Sequence, residues 1–488
     1  GEGAINHITD DQEVFNGRIG IEIRGESSQS FPKKSYLVET WDENGEDLDT
    51  SFLNFPTEED FILYAPYSDK TLMNNVLAME LSRHMGRYAS RTRYVELVVN
   101  GSYEGIYVLM EKIKRDNDRV DISRLSMDDL SGDELTGGYI IRIDKGSHPG
   151  WASKYNAFDG TNPIFFQYYY PESEEMLPVQ KLYIRSFMDG FEDAIASEDG
   201  ENELGIHYSE YINLRSFFDN FILNELSKNV DAYRLSTYFY KDRDSKDGLL
   251  RAGPTWDFNL SFGNADYCAG ESVEGWIYYQ CVGSSPMWWD RMLKDELFAN
   301  GLKCRYDQLR DNLLSEDNLY RIIEANEMVL GDAIHRNFER WPVLGTYVWP
   351  NSQRYVQAGS YNNVLSSMKD WISRRLNWLD AHMPGIAEDC TFYNDLEQGF
   401  NNEDSEVVER VEAYPNPASD FVTLIGSSYM SEVRIYNSTG DLIDQESIRA
   451  PQYEYSFDPS LPSGLYILKI LVGDQFVEKK VVHHSPKD

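Results

Sequence analysis

Residues 227–263 read SKNVDAYRLSTYFYKDRDSKDGLLRAGPTWDFNLSFG. Asp231 follows a long apolar run, Asp257 sits inside the aromatic cluster TWDFNLSFG, and two strand-like segments joined by a polar turn lie between them. The pattern predicts a short β-hairpin with a carboxylate at each end. Phosphoryl transfer asks for such a pair: one carboxylate orients the attacking hydroxyl and the other holds metal that bridges the phosphates. Two ordinary capped loops would read the same way, so the rest of the chain has to decide.

A chain of 488 residues exceeds one ordinary core and predicts two or three domains. With 41% hydrophobic and 14% aromatic residues it belongs to the folded class. A formal charge of −37 argues against nucleic acid as a partner, and it fits solubility, cation binding and a secreted or surface life. No apolar run approaches the roughly 18 residues of a transmembrane segment. The opening GEGAINHITDDQ has no signal-peptide pattern and reads as a mature or trimmed end. Cys268, Cys281, Cys304 and Cys390 show no CxxC spacing, which argues against zinc. Two disulfides of an exported protein fit better than four buried thiols, with Cys268–Cys281 one of the pairs that four cysteines allow.

Strands come first. RIGIEIRG, KSYLVETW and DFILYAPY precede a helix, KTLMNNVLAMELSRHMG, capped by Ser68-Asp69 and ended by Gly86. A hairpin follows in TRYVELVVNGSYEGIYVLMEKI, turning on Asn100-Gly101, and GGYIIRID closes the passage. From 176 to 385 helical spacing prevails, as in PVQKLYIRSFMDGFEDAIAS and NLRSFFDNFILNELSKN. This order predicts an α+β body of two lobes over 1–395, strand-rich to about 150 and helical from about 151. Residues 396–411 read as an acidic linker. Short strands over 412–488, among them FVTLIG, GLYILKIL and QFVEKKVV, predict a small antiparallel β-sandwich.

Phosphate-binding loops of the GxxxxGK or GxGxxG type are absent, so side chains would have to hold a polyphosphate. The stretch IEIRGESSQSFPKKSYLVET offers Arg24, Lys33 and Lys34 beside Ser27, Ser28 and Gln29. An ordinary hairpin with lysines guarding its edge is the alternative. Glu80, in mid-helix, is placed either to pair with one of these lysines or to face solvent. Glu111 and Lys112, where VLMEKIKRD leaves its strand, fit the edge of an adenine pocket or a plain strand exit. Asp144 and Lys145 fit a rim on the substrate or metal side. In protein kinases an Asn follows the first Asp by five residues; Ser236 stands there, a weaker Mg²⁺ ligand, and Asn259 offers an amide oxygen beside Asp257. GxSxG and HExxH are missing, which weighs against a hydrolase. Paired carboxylates for glycoside cleavage are not decided by spacing.

RGESSQSFPKKSY, LYAPYSDKTLMNN, VELVVNGSYEGIYVLMEKIKRD, TGGYIIRIDK, NVDAYRLSTYFYKD and GPTWDFNLSFG together resemble the CotH kinase family, the spore-coat-type atypical protein kinases. The resemblance implies a divergent protein-kinase-like fold, ATP with Mg²⁺ or Mn²⁺, and transfer to Ser or Thr of secreted or surface proteins, or of the chain itself. By position it gives Asp231 the catalytic-loop role. Asp257 takes the metal, helped by Asn259 and Ser236. Arg24, Ser28, Lys33 and Lys34 take the phosphate side, with Lys34 also catalytic, and Glu111 and Lys112 border the nucleotide. Many members carry Asn in place of Ser236 and a second Asp in place of Asn259. AYPNPASDFVTL, VRIYNSTGDLI, PSGLYILKI and KKVV resemble the type A C-terminal sorting domain of the type IX secretion system of Bacteroidota, although HHSPKD after KKVV is atypical. That resemblance implies the secretion machinery as partner and export across the outer membrane. A non-catalytic surface-binding or adhesin protein on the same scaffold is the alternative. The loop ESVEGWIYYQCVGSSPMWWDRM would then be its recognition surface, or else a buried satellite core.

Overall fold

The computed structural model describes residues 15–387 apart from 147, 282 and 284, then 390, 391 and 393. Within 411–483 it describes all but 415–417, 419, 420, 439, 459, 473 and 474. The expected linker, save Val411, lies outside the described residues. Two compact units result, a large one of residues 14–320 and 330–402 and a second of residues 1–13, 321–329 and 403–488.

The large unit holds two antiparallel sheets. The first contains β1 (Arg18–Arg24), β2 (Ser35–Trp41), β3 (Asp60–Tyr64), β4 (Thr92–Val99) and β5 (Ser102–Glu111) in the order β1-β2-β3-β5-β4. Alternation along the strands divides its side chains between two cores. Phe61, Leu63, Tyr107 and Leu109 gather with Phe55 on one face. Ile62, Val108 and Met110 meet Val76 and Met79 of helix α1 (Asn74–His84) on the other. The β4–β5 turn forms on Asn100 and Gly101 as expected, both at positive φ (51° and 80°). Gly86, at φ 83°, ends α1. The start of α1 differs from expectation. Asp69 accepts from the backbone N–H groups of Thr71 and Asn74, closing a separate turn before the helix begins.

After α2 (Gly132–Leu135) comes the second sheet: β6 (Tyr139–Ile143), β7 (Gly150–Asn156), β8 (Pro163–Tyr170), β9 (Thr237–Lys241) and β10 (Leu250–Ala252), in the order β10-β9-β6-β8-β7. The predicted hairpin is β9–β10, paired from Leu250↔Lys241 to Ala252↔Phe239. β6 does not close the first sheet, as its position in the chain suggested; it pairs with β8 and β9. Four of its five residues, Tyr139, Ile140, Ile141 and Ile143, are buried, so both of its faces are covered and its sequence carries no sign of which neighbour it takes.

Helices α3 (Pro178–Ala196), α4 (Leu214–Ser227), α5 (Ile277–Gln280), α6 (Trp288–Met292), α7 (Glu296–Arg310), α8 (Glu316–Leu330, its residues 321–329 grouped with the second unit), α9 (Ala333–Arg340), α10 (Gln353–Ala358) and α11 (Tyr361–His382) supply the rest. α4 starts on an Asn213 cap and buries most of its surface, including Phe217, Phe221 and Leu226. Disulfides join Cys268 to Cys281 and Cys304 to Cys390, which removes the zinc reading. Trp288 and Trp289 of the aromatic loop are buried in the core, while Trp276 and Tyr278 are half-buried and Tyr279 is 63% exposed. Among the described residues no helix is long and apolar enough to cross a membrane.

The second unit contains β11 (Val411–Tyr414), β12 (Phe421–Tyr436), β13 (Leu442–Ser456), β14 (Gly464–Val472) and β15 (Gln475–His483). β12 pairs β13, and it also pairs β11 through its first half and β14 through its second. The register shifts between Ile425 and Met430. Val422 and Leu424 before the shift share one core with Val433, Ile435, Leu468 and Val481 after it. The layers of the expected sandwich are therefore one sheet bent at an irregularity.

Candidate active site

Asp257 stands just beyond β10 at the seam of the two sheets. Its neighbour Trp256 packs against Ile62, Val76 and Val108 of the first sheet and α1, and against Ile140 and Tyr238 of the second. Asp257 has φ 62°, a left-handed conformation that side chains rarely adopt without support. The support comes from the first turn of α1. Asn75 Oδ1 accepts from Phe258 N at 2.5 Å, and Asn74 Nδ2 donates to the carbonyls of Asn259 (3.2 Å) and Ser261 (3.1 Å). Asn264 adds a bond from Nδ2 to the Asn259 carbonyl at 3.0 Å. Sequence reasoning took SDKTLMNN for a helix cap and missed its asparagine clamp. The adjacent Asn74 and Asn75, both buried at the start of an apolar-periodic helix, were the available signal.

Asp231 lies in the loop between α4 and β9, where Tyr233 and Ser236 also have positive φ (68° and 47°). Its Oδ1 accepts from Arg234 Nη2 at 2.9 Å and from the Tyr267 hydroxyl at 3.4 Å. Oδ2 receives no donor among the described residues. Ser236 Oγ reaches Asp257 Oδ2 at 3.5 Å, linking the two ends of the hairpin. Asp144, at the end of β6, is the third carboxylate of the group. Burial pushes Asp257 up to about 6; the charges of Asp231 and Asp144 add to the rise, while Arg24 and Lys145 oppose it. Burial also raises Asp231, against the pull of Arg234, Lys145 and the Tyr267 hydroxyl.

Cations reach this group from one turn and one strand end. The Arg24 guanidinium lies 5.6 Å from the centre of the Trp256 ring. Lys145 Nζ donates to Ser27 Oγ at 2.7 Å and pairs with Glu26 at 3.6 Å, tying the β1–β2 turn to the end of β6. Within that turn Lys34 Nζ donates to the Gln29 carbonyl at 2.6 Å. A Cβ on Gly25 would lie 2.1 Å from Ser28 Oγ, so glycine at φ 97° is what lets Ser28 fold back there.

Four expected site residues have other engagements. Lys33 is buried, donates to the Ile106 carbonyl and to Asn337 Oδ1, and lies 4.9 Å from the centre of the Tyr107 ring. Burial draws its ammonium down to about 7. The anticipated pair with Glu80 is not among its contacts. The Glu111 carboxylate accepts from Arg91 N, Arg91 Nη1 and the Tyr88 hydroxyl, and Lys112 pairs with Asp60 at 3.1 Å. Asn259 is anchored through its carbonyl, and its side chain makes no hydrogen bond among the described residues. Arg234 and Tyr267 were not foreseen. Arg234 follows Asp231 by three residues, a spacing that could have flagged it, whereas Tyr267 carries no local signal.

A family profile described as CotH kinase protein matches residues 21–379. The chain belongs to the CotH family. A second profile, described as secretion system C-terminal sorting domain, matches residues 412–484. No curated protein matches the chain. This CotH-family protein is exported: its sorting domain belongs to the type IX system, which delivers proteins to the cell surface or the medium.

Proposed function

We propose that this exported CotH-family protein is a kinase that transfers the γ-phosphoryl group of ATP to a serine or threonine hydroxyl of secreted or surface protein. The observation that carries the reading is the Asp231 carboxylate. One oxygen is held by two donors and the other receives none among the described residues, beside Asp257 and Asp144 at the seam of two sheets. In this reading the two sheets form the two lobes of the kinase.

Oxygen donors from Asp257, Asp144, Ser236 and Asn259 suit a hard divalent cation, Mg²⁺ or Mn²⁺. Burial raises Asp257 first and the charges of Asp231 and Asp144 add to it, and a bound cation would offset both. When bound, the ion neutralises charge on the ATP phosphates. Arg24, Lys34, Lys145 and the turn bearing Ser27 and Ser28 face the phosphates. Asp231 Oδ2 accepts the proton of the acceptor hydroxyl and aims its oxygen at phosphorus.

The test is incubation of the full chain with γ-labelled ATP and Mg²⁺ or Mn²⁺, beside Asp231→Asn and Asp257→Asn. Label on the wild type, reduced about 10²- to 10⁴-fold in both variants, supports a kinase. Absence of label, with no nucleotide-induced rise in melting temperature, returns the protein to a surface-binding role on the same scaffold.

A further inference from the structure

Resting on the kinase reading above, we propose that Tyr267 is a positioning residue for Asp231 and that the Cys268–Cys281 bridge keeps it there, so that competence for transfer depends on oxidation of this bridge. Asp231 Oδ1 has two donors, Arg234 Nη2 and the Tyr267 hydroxyl. With both in place the carboxylate plane is fixed and Oδ2 is presented outward. With Arg234 alone the group turns about its last single bond, and Oδ2 is no longer aimed.

Tyr267 reaches Asp231 on a strained loop. Cys268 and Ala269 both have φ 51°, two successive non-glycine residues in the left-handed region. Such a conformation persists only where the surroundings over-determine it. Several contacts do so here. Tyr267 lies parallel to Trp349, with ring centres 6.5 Å apart and planes within 3°. Asp266 N donates to the Pro350 carbonyl at 2.9 Å, and the Tyr347 hydroxyl donates to Asp266 Oδ2 at 2.7 Å. The covalent tie is the bridge from Cys268 to Cys281, with Cα atoms 5.1 Å apart.

That tie leads back to the helix that sets Asp231. Cys281 directly follows α5, whose Ile277 and Tyr278 N–H groups donate to the Glu225 carboxylate at 2.8 and 3.1 Å. Glu225 belongs to α4, is fully buried and is paired with buried Arg375 at 3.3 Å. α4 ends four residues before Asp231. The same helix end therefore places the carboxylate directly and its tyrosine partner through the disulfide. Lys228, which caps that helix end, donates to the Ser272 and Glu274 carbonyls at 2.9 and 2.5 Å, and the disulfide adds the covalent tie from Cys268 itself. Cys268 and Cys281 also line an open groove of about 380 Å³ with Arg234 and Tyr267, so the bridge shapes the surface next to Asp231 as well.

A dithiol reductant opens the bridge by thiol–disulfide exchange. Two electrons and two protons pass to the sulfurs, Cys268 and Cys281 leave as thiols, and the dithiol closes to a cyclic disulfide. Left-handed Cys268 and Ala269 then relax, and the Tyr267 hydroxyl moves off Asp231.

The test uses the full chain with γ-labelled ATP and Mn²⁺, following label on the chain itself and on dephosphorylated casein. Tyr267→Phe, the double variant Cys268→Ser/Cys281→Ser and the control Cys304→Ser/Cys390→Ser are compared with wild type below their melting temperatures. Tyr267→Phe and the first double variant are expected to lower kcat at least tenfold. Their KM for ATP should stay within twofold, and their Mn²⁺·ATP-induced melting shift should be intact. The control keeps its kcat, and reoxidation of reduced wild type restores the rate. Unchanged kcat in Tyr267→Phe or in the Cys268/Cys281 variant overturns the proposal, as does loss of the melting shift together with the rate. A wild type that transfers no phosphate to either acceptor overturns the kinase reading first, and this proposal with it.

Discussion

Replacing Asp257 by Asn should make the protein more stable at neutral pH. The folded carboxyl titrates at about 6 against an ordinary 3.8. Folding thus disfavours the charged form by roughly two pK units, or about 3 kcal/mol at 1.36 kcal/mol per unit. The sign follows from proton counts. Between about pH 4 and pH 6 the folded state binds more protons than the unfolded one, so stability falls as pH rises through that interval and stays reduced above it. Asn has nearly the same shape, tolerates positive φ and can still accept the Ser236 hydroxyl, so it removes the charge and little else. The expected gain for Asp257→Asn is about 3 kcal/mol at pH 7.5 and about 1 kcal/mol at pH 4.5. Urea unfolding at the two pH values, with divalent metal removed by chelation, measures it. A variant destabilised at pH 7.5, or stabilised equally at both values, would refute the account of a carboxylate held charged against its surroundings.

The two disulfides should contribute unequally. Cys304–Cys390 spans 86 residues and Cys268–Cys281 spans 13, so chain entropy predicts losses of about 4–5 and about 3 kcal/mol for the respective Ser pairs, read from denaturant midpoints. Arg375→Met leaves the Glu225 carboxylate buried without its cation and should cost about 3–5 kcal/mol in the same assay, whereas an exposed pair such as Lys294–Asp290 should cost under about 1 kcal/mol. Asn75→Ala strands the buried Phe258 N–H, with an expected loss of about 1–3 kcal/mol; if Asn75 serves only its own helix, Asn75→Gln will be equally harmless in unfolding and in label transfer.

What the sequence disclosed was local. The Asn100-Gly101 turn, the Gly86 stop and the β9–β10 hairpin each depend on residues a few positions apart, and the structure has all three. Asp231 and Asp257 were legible because the hairpin between them is short. The partner of β6 was not, since strand pairing is non-local and a strand buried on both faces loses its alternation. Lys33 and Lys34 show the limit most clearly. One of the pair enters the core against Tyr107 and the other stays with its turn. No pattern in KK says which is which. Tyr267 lies 36 residues from Asp231, on a loop with positive φ at Cys268 and Ala269 and against Trp349, and none of this is visible in the local sequence.

Backbone strain gathers around the candidate site independently of any motif. Among the described residues eleven non-glycine positions have positive φ, and seven of them, Lys228, Tyr233, Ser236, Asp257, Phe262, Cys268 and Ala269, fall between 228 and 269. Left-handed side chains cost of order 1–3 kcal/mol each, so chance would not gather them beside three carboxylates that also disfavour one another. The fold offsets the cost nearby with buried, hydrogen-bonded groups: Asn74 and Asn75 under the Asp257 loop, Asn264 and Asn351 on the Ser68 carbonyl, and Glu225 paired with Arg375. A stretch that breaks local preference repeatedly, within a frame built to hold it, is specified for geometry rather than stability. The geometry it holds is an Asp231 carboxylate whose Oδ2 receives no donor among the described residues, beside a buried Asp257.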